Sequence, residues 1–165
     1  MHSEDLLVNP QDIVESIERL VKETSKFLLL VCPYWDFGER HDYYRKIRYS
    51  VRRKLNKGIH VVCVYRKNDN ICKRDILSFF GYKEWPDNLQ ILYNVRPLHS
   101  KFYMNESDII ISSMNLLESS YNNCELGIYV QHYDFTPRLK AKLKQHILEI
   151  ANGYEIDPII LNHLD

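Results

Sequence analysis

The chain predicts an α/β domain in which a mixed β-sheet is sandwiched by helices, and three observations lead there. Short apolar runs alternate along the sequence with amphipathic stretches of helical period. The runs at 27–32 and 59–65 are apolar almost throughout, as in strands covered on both faces. Two further apolar runs flank the polar residues Glu106, Ser107 and Asp108, the pattern of an antiparallel hairpin. Helical crossovers beside a hairpin make the sheet mixed.

Taken in order, Asn9 is placed to cap a first helix, with Pro10 at its first position. Ile13, Val14, Ile17, Leu20 and Val21 form its apolar stripe to about residue 25, while Glu15 with Arg19 and Glu18 with Lys22 are spaced to pair outside. The strand 27–32 follows. A second helix over 41–56 carries Tyr44, Ile47, Val51 and Leu55 inward and stops at Gly58. A strand over 59–65, a helix near 73–80 and a strand over 89–95 come next. After the hairpin, a strand near 124–131 precedes a last helix that begins at Thr136 and Pro137 and buries Leu139, Leu143, Ile147 and Ile150.

A length of 165 residues predicts one domain spanning 1–165, and 45% hydrophobic content suffices for a core. Formal net charge is zero, so bulk charge selects no partner. Its distribution is more informative. Residues 43–74 hold eleven Lys and Arg against Asp69 alone, a segment of +10 on a neutral chain. Within it Arg45, Arg48 and Arg52 share a strip beside the core stripe, suited to backbone phosphates. Tyr34 and Trp35, at the end of the first long strand, are placed to line a substrate groove. Cys32, Cys63, Cys72 and Cys124 lack CxxC spacing and read as buried thiols of a reducing compartment. The first residues have no basic-then-apolar leader, so a cytoplasmic location is expected, with no membrane partner.

The chemistry concentrates in residues 98–127. His99 and Lys101, two apart, face one way on a strand, and Ser113 and Asn115 repeat that spacing on the next. With a three-residue turn through Glu106, Ser107 and Asp108, His99 stands opposite Asn115 and Lys101 opposite Ser113. A nucleophile, a cation, a hydroxyl and an amide on one patch form a phosphate-binding inventory. The chain offers no dense carboxylate cluster of the kind magnesium nucleases use.

These residues resemble the signature of the phospholipase D superfamily, HxKx4Dx6GSxN, and most of all its small single-copy bacterial nuclease branch. His99, Lys101, Ser113 and Asn115 match in order; Glu106 stands at the aspartate position, and Ser112 replaces the glycine one residue early. Glu125, in the run Asn122, Asn123, Cys124, Glu125, Leu126, Gly127, matches the glutamate that supports the histidine. The resemblance implies a phospholipase D-like fold and a catalytic group of His99, Lys101, Ser113, Asn115 and Glu125. It also implies a reaction that requires two histidines and no metal or other cofactor. With one motif in the chain, a homodimer sharing one site across its axis is expected. The leading expectation is a nuclease cleaving DNA or RNA backbones through a phosphohistidine. A nucleic-acid-binding module of the same fold with weak or no turnover, and a lipid phosphodiesterase, are the alternatives.

Overall fold

The computed structural model describes residues 5–34, 42–66, 75, 77–78, 80–94, 98–116, 118–131 and 135–165. Its elements run β1 (Asp5–Leu7), α1 (Pro10–Glu23), β2 (Phe27–Val31), α2 (Asp42–Asn56), β3 (His60–Arg66), β4 (Leu89–Asn94), β5 (Phe102–Asn105), β6 (Asp108–Ser112), α3 (Glu118–Tyr121), β7 (Gly127–Gln131), α4 (Pro137–Ala151) and α5 (Pro158–His163). The seven strands form one mixed sheet in the order β1-β7-β6-β5-β2-β3-β4. β2, β3 and β4 are parallel, and every pairing from β2 through β5 to β1 is antiparallel. The expected helix near 73–80 falls largely outside the described residues, although Asp75, Leu77 and Ser78 are helical.

The helices cover both faces, as the apolar runs of β2 and β3 require. On one face Ile13, Ile17 and Leu20 of α1 and Tyr44, Ile47, Val51 and Leu55 of α2 share a core with Leu28, Leu30 and Tyr103. On the other, Leu143, Ile147 and Ile150 of α4 and Ile160 of α5 join Phe27, Leu29, Val31 and Met104. The caps form as the sequence demands. Asn9 Oδ1 accepts from Asp12 N at 2.9 Å, and Thr136 Oγ1 from Leu139 N at 3.1 Å. Gly58 ends α2 at φ 77°, where only glycine rests without strain. Glu18 and Lys22 pair at 2.8 Å, but Arg19 lies over the Tyr129 ring, 4.6 Å from its centroid, instead of pairing with Glu15. No described helix is long and apolar enough to cross a membrane.

The hairpin register differs from expectation by one residue. Phe102 faces Ile111 and Met104 faces Ile109, so the turn holds only Glu106 and Ser107. Asp108, expected in the turn, opens β6 and is buried against Tyr129. The cause is Asn105. Its buried Oδ1 accepts from both Ser107 N and Asp108 N at 2.7 Å, closing the turn from within. Its Nδ2 donates to Leu20 O at 3.0 Å, tying the turn to the end of α1.

Glu106 completes the clamp. Its carboxylate accepts from Ser25 N at 2.6 Å, Ser25 Oγ at 2.5 Å and Lys26 N at 3.2 Å. Burial pushes this carboxyl up, but the Ser25 and Lys26 donors outweigh it and hold it below the usual range. A depressed carboxyl contributes stability above its unfolded pKa and loses it as pH falls through the folded value. Glu106→Gln should therefore lose about 1 kcal/mol at pH 7 by urea unfolding, the deficit shrinking below about pH 4. Two thiols match the expected burial: Cys32 and Cys63 are buried and burial raises both, whereas Cys124 is exposed, because it sits in the loop before β7 rather than within the strand. Cys72 lies outside the described residues. An alkylating reagent should label Cys124 in the native protein and reach Cys32 and Cys63 only after denaturation, as peptide mass spectrometry would show.

Candidate functional site

The site residues converge where β2 and β6 end and β5 and β7 begin. The alternation that sends Tyr103 into the α1–α2 core turns Lys101 the same way, under the sheet end. Only 5% of Lys101 is exposed, whereas His99 lies at the surface. The Lys101 ammonium donates to His99 O at 2.9 Å and stands 3.5 Å from both imidazole nitrogens. Burial lowers the affinity of this amine for its proton, and the neighbouring Cys32 and Glu125 oppose that effect. The result is a desolvated cation beside an accessible imidazole.

Ser113 and Glu125 form a second pair. Ser113 Oγ donates to Glu125 Oε2 and accepts from Leu126 N at 3.0 Å, while Ser113 N donates to Leu126 O at 2.8 Å. This hydroxyl therefore ties β6 to the segment before β7. The one-residue register difference has a consequence here: Ser112 N bonds Lys101 O at 3.0 Å, so Ser112, not Ser113, stands beside Lys101. Glu125 was expected to support the imidazole; among the described residues its hydrogen bond is to Ser113, and its tie to the His99–Lys101 pair runs through the Lys101 charge.

Asn115 lies against Cys32. Its Oδ1 lies 3.9 Å from Cys32 Sγ, and that sulfur also meets Leu116 N at 3.3 Å and Tyr34 O at 3.0 Å. Sequence reasoning treated Cys32 only as a buried thiol. It is a floor residue, contacting the 115–116 segment and feeling the Lys101 charge.

The proposed nucleic-acid contacts divide. Tyr34 is half-buried at the end of β2, and Arg66 at the end of β3 donates to its hydroxyl at 2.8 Å. Sequence reading counted Arg66 only as part of the basic run; its position at a parallel strand end was the signal. Trp35 lies outside the described residues. On α2, Arg45 is exposed and bridges Asp42 at 2.6 Å, and Arg48 sits 5.8 Å from the Tyr49 ring centroid. Arg52 is used for packing. It lies over Tyr82, and a side chain added at Gly81 would meet its guanidinium at 2.8 Å. Among the described residues no three His, Cys, Asp or Glu side chains group to hold a metal ion.

No family model matches the chain, and no curated protein sequence does. Solved structures do match. NucT from Helicobacter pylori shares the fold at a TM-score of 0.66 and 16% identity, over 90% of this chain and 97% of its own. Nuc from Salmonella typhimurium, a phospholipase D family member, gives 0.63 at 13% identity, over 91% and 95%. TrmBL2, an archaeal chromatin protein described as having a novel mode of DNA binding, gives 0.60 at 11% identity, over 92% of this chain but 54% of its own. Near-complete mutual coverage with the first two takes in almost all of both chains, at identities where shared architecture is what such a match establishes. The seven-stranded mixed sheet flanked by helices is thus the phospholipase D-like fold that the motif of residues 99–115 implied.

Proposed function

We propose that the protein is a metal-independent phosphodiesterase that hydrolyses nucleic-acid backbones as a homodimer. The carrying observation is the exposed imidazole of His99 against the buried ammonium of Lys101, at the sheet end that also presents Ser113, Asn115 and Glu125. In this reading a His99 nitrogen attacks phosphorus and the bond to the leaving oxygen breaks. The partner's His99 gives that oxygen its proton. The same imidazole then takes a proton from water, whose oxygen displaces the phosphohistidine nitrogen from phosphorus. Lys101, Asn115 and Ser113 stabilise charge on the non-bridging oxygens, a task for which a desolvated cation is well suited.

The fold shared with a phospholipase D family member supports this reading, and so does the likeness to a DNA-binding chromatin protein. Arg45, Arg48, Tyr34 and Trp35 are assigned to backbone contact; Arg52 joins them only at the edge of its packing role. One observation favours a second reading, binding without turnover: Glu125 is engaged by Ser113 instead of orienting His99.

The two readings separate in one assay. Plasmid, single-stranded DNA and RNA incubated with the protein in excess EDTA should be cleaved. His99→Ala should lower the rate about 10³-fold or more while leaving binding by fluorescence anisotropy nearly unchanged. Strict magnesium dependence, or an unaffected variant, defeats the catalytic reading; binding without any cleavage selects the second.

A further inference from the structure

His99 and Lys101 lie just before β5, which begins at Phe102, and a backbone bond from Ser112 N to Lys101 O joins this segment to β6. Side chains must supply the rest of its anchoring. Leu98 and Phe102, on either side of the pair, are buried in the core that holds Leu143 and Ile147 of α4. Between them the half-buried Ser100 is hydrogen-bonded to His146 of α4, with Oγ and Nε2 2.7 Å apart. The His146 ring also lies against Phe102, with 6.0 Å between centroids. Helix α4 therefore holds the motif segment from the face opposite the one into which Lys101 turns.

The electrostatics of α4 give this bond a direction. Glu149 Oε2 stands 3.9 Å from His146 Nδ1, and Gln145 Nε2 donates to the other carboxylate oxygen at 2.9 Å. A negative charge on that side favours the proton on Nδ1, which leaves Nε2 to accept from the Ser100 hydroxyl.

We infer that His146 is a positioning residue for the reaction at His99, acting through Ser100. The inference rests on the proposed phosphodiesterase reading and adds to it a residue outside the motif. Apolar burial of Leu98 and Phe102 fixes how deep the segment sits, but it is non-directional. A hydrogen bond fixes where along the sheet it sits. Ser100 lies between the attacking imidazole and the ammonium that accompanies it, so releasing its hydroxyl loosens both together. Attack on phosphorus is sensitive to such slack, since a displacement of about 1 Å costs about 100-fold in rate. The support comes from a helix whose Leu143, Ile147 and Ile150 are buried, a rigid element suited to the task.

Cleavage of single-stranded DNA in excess EDTA tests this with four variants: Ser100→Ala, His146→Phe, the two combined, and His146→Gln. Phenylalanine keeps a ring against Phe102 without the acceptor, and the glutamine amide oxygen reaches the place of Nε2. Ser100→Ala and His146→Phe should each lower kcat about tenfold or more and leave KM within about twofold. The combined variant should be no slower than the slower single one, because both remove the same bond. His146→Gln should recover most of the rate. Long-range proton–nitrogen correlation spectra should show the His99 ring resonances shifted in both single variants and restored by glutamine. Circular dichroism checks that each variant is folded. A bond that only satisfied a half-buried hydroxyl would alter stability and leave kcat alone, which overturns the inference. Unshifted His99 resonances, multiplying losses in the combined variant, or a glutamine variant as slow as the phenylalanine one overturn it too. The nuclease reading fails separately: a wild type that leaves DNA and RNA intact in EDTA removes the activity, and the His99 resonances then decide the positioning alone.

Discussion

The Asn105 side chain sets the geometry on which the candidate site depends. A two-residue hairpin loop ordinarily calls for residues at positive φ, and neither Glu106 nor Ser107 adopts it. Asn105 supplies the missing closure, accepting two backbone N–H groups while its amide holds Leu20 O. A buried amide with both ends satisfied is costly to disturb, since any slip strands a donor or an acceptor away from water. The register of β5 on β6 follows, and with it which hydroxyl stands beside Lys101.

The rest of the hairpin is braced at both ends. At the turn, Glu106 gathers the N–H groups between α1 and β2. At the open end, Ser113 joins β6 to the approach of β7, and Cys32 contacts the 115–116 segment. β5 lies between β6 and β2, and Lys101, just before it, is held to β6 by the bond from Ser112 N to its carbonyl. That anchoring and the bond to His99 O keep the buried ammonium in place.

Much of this was legible in the residues. The stripes of α1 and α2 are buried as their period demands, and the caps at Asn9 and Thr136 form. Periodicity and capping are local, and local signals survive folding. The register was not legible, because an acidic residue after a serine reads as turn whether or not it is buried, and Asp108 finds Tyr129 only in the folded chain. β1 was missed for a similar reason: Asp5, Leu6 and Leu7 are too few to show a period, and their strand exists through pairing with β7. The candidate site residues stood out by spacing. Cys32 and Arg66 did not, because their roles depend on contacts across 83 and 32 positions of sequence.

The departures from the superfamily pattern are locally unstrained. Glycine at the position of Ser112 would matter if the backbone there needed positive φ, and among the described non-glycine residues only Asn152 has it. Ser112 instead uses its hydroxyl, accepting from Met114 N at 2.9 Å and so shaping the bend that presents Ser113. The shortened spacing ends at a two-residue turn, and the glutamate at the aspartate position spans the distance to Ser25 and Lys26. Each departure is thus met by a hydrogen bond in the same hairpin. Backbone strain gives no ground for reading the hairpin as decayed; the engagement of Glu125 by Ser113, a side-chain contact, is the feature that bears on turnover.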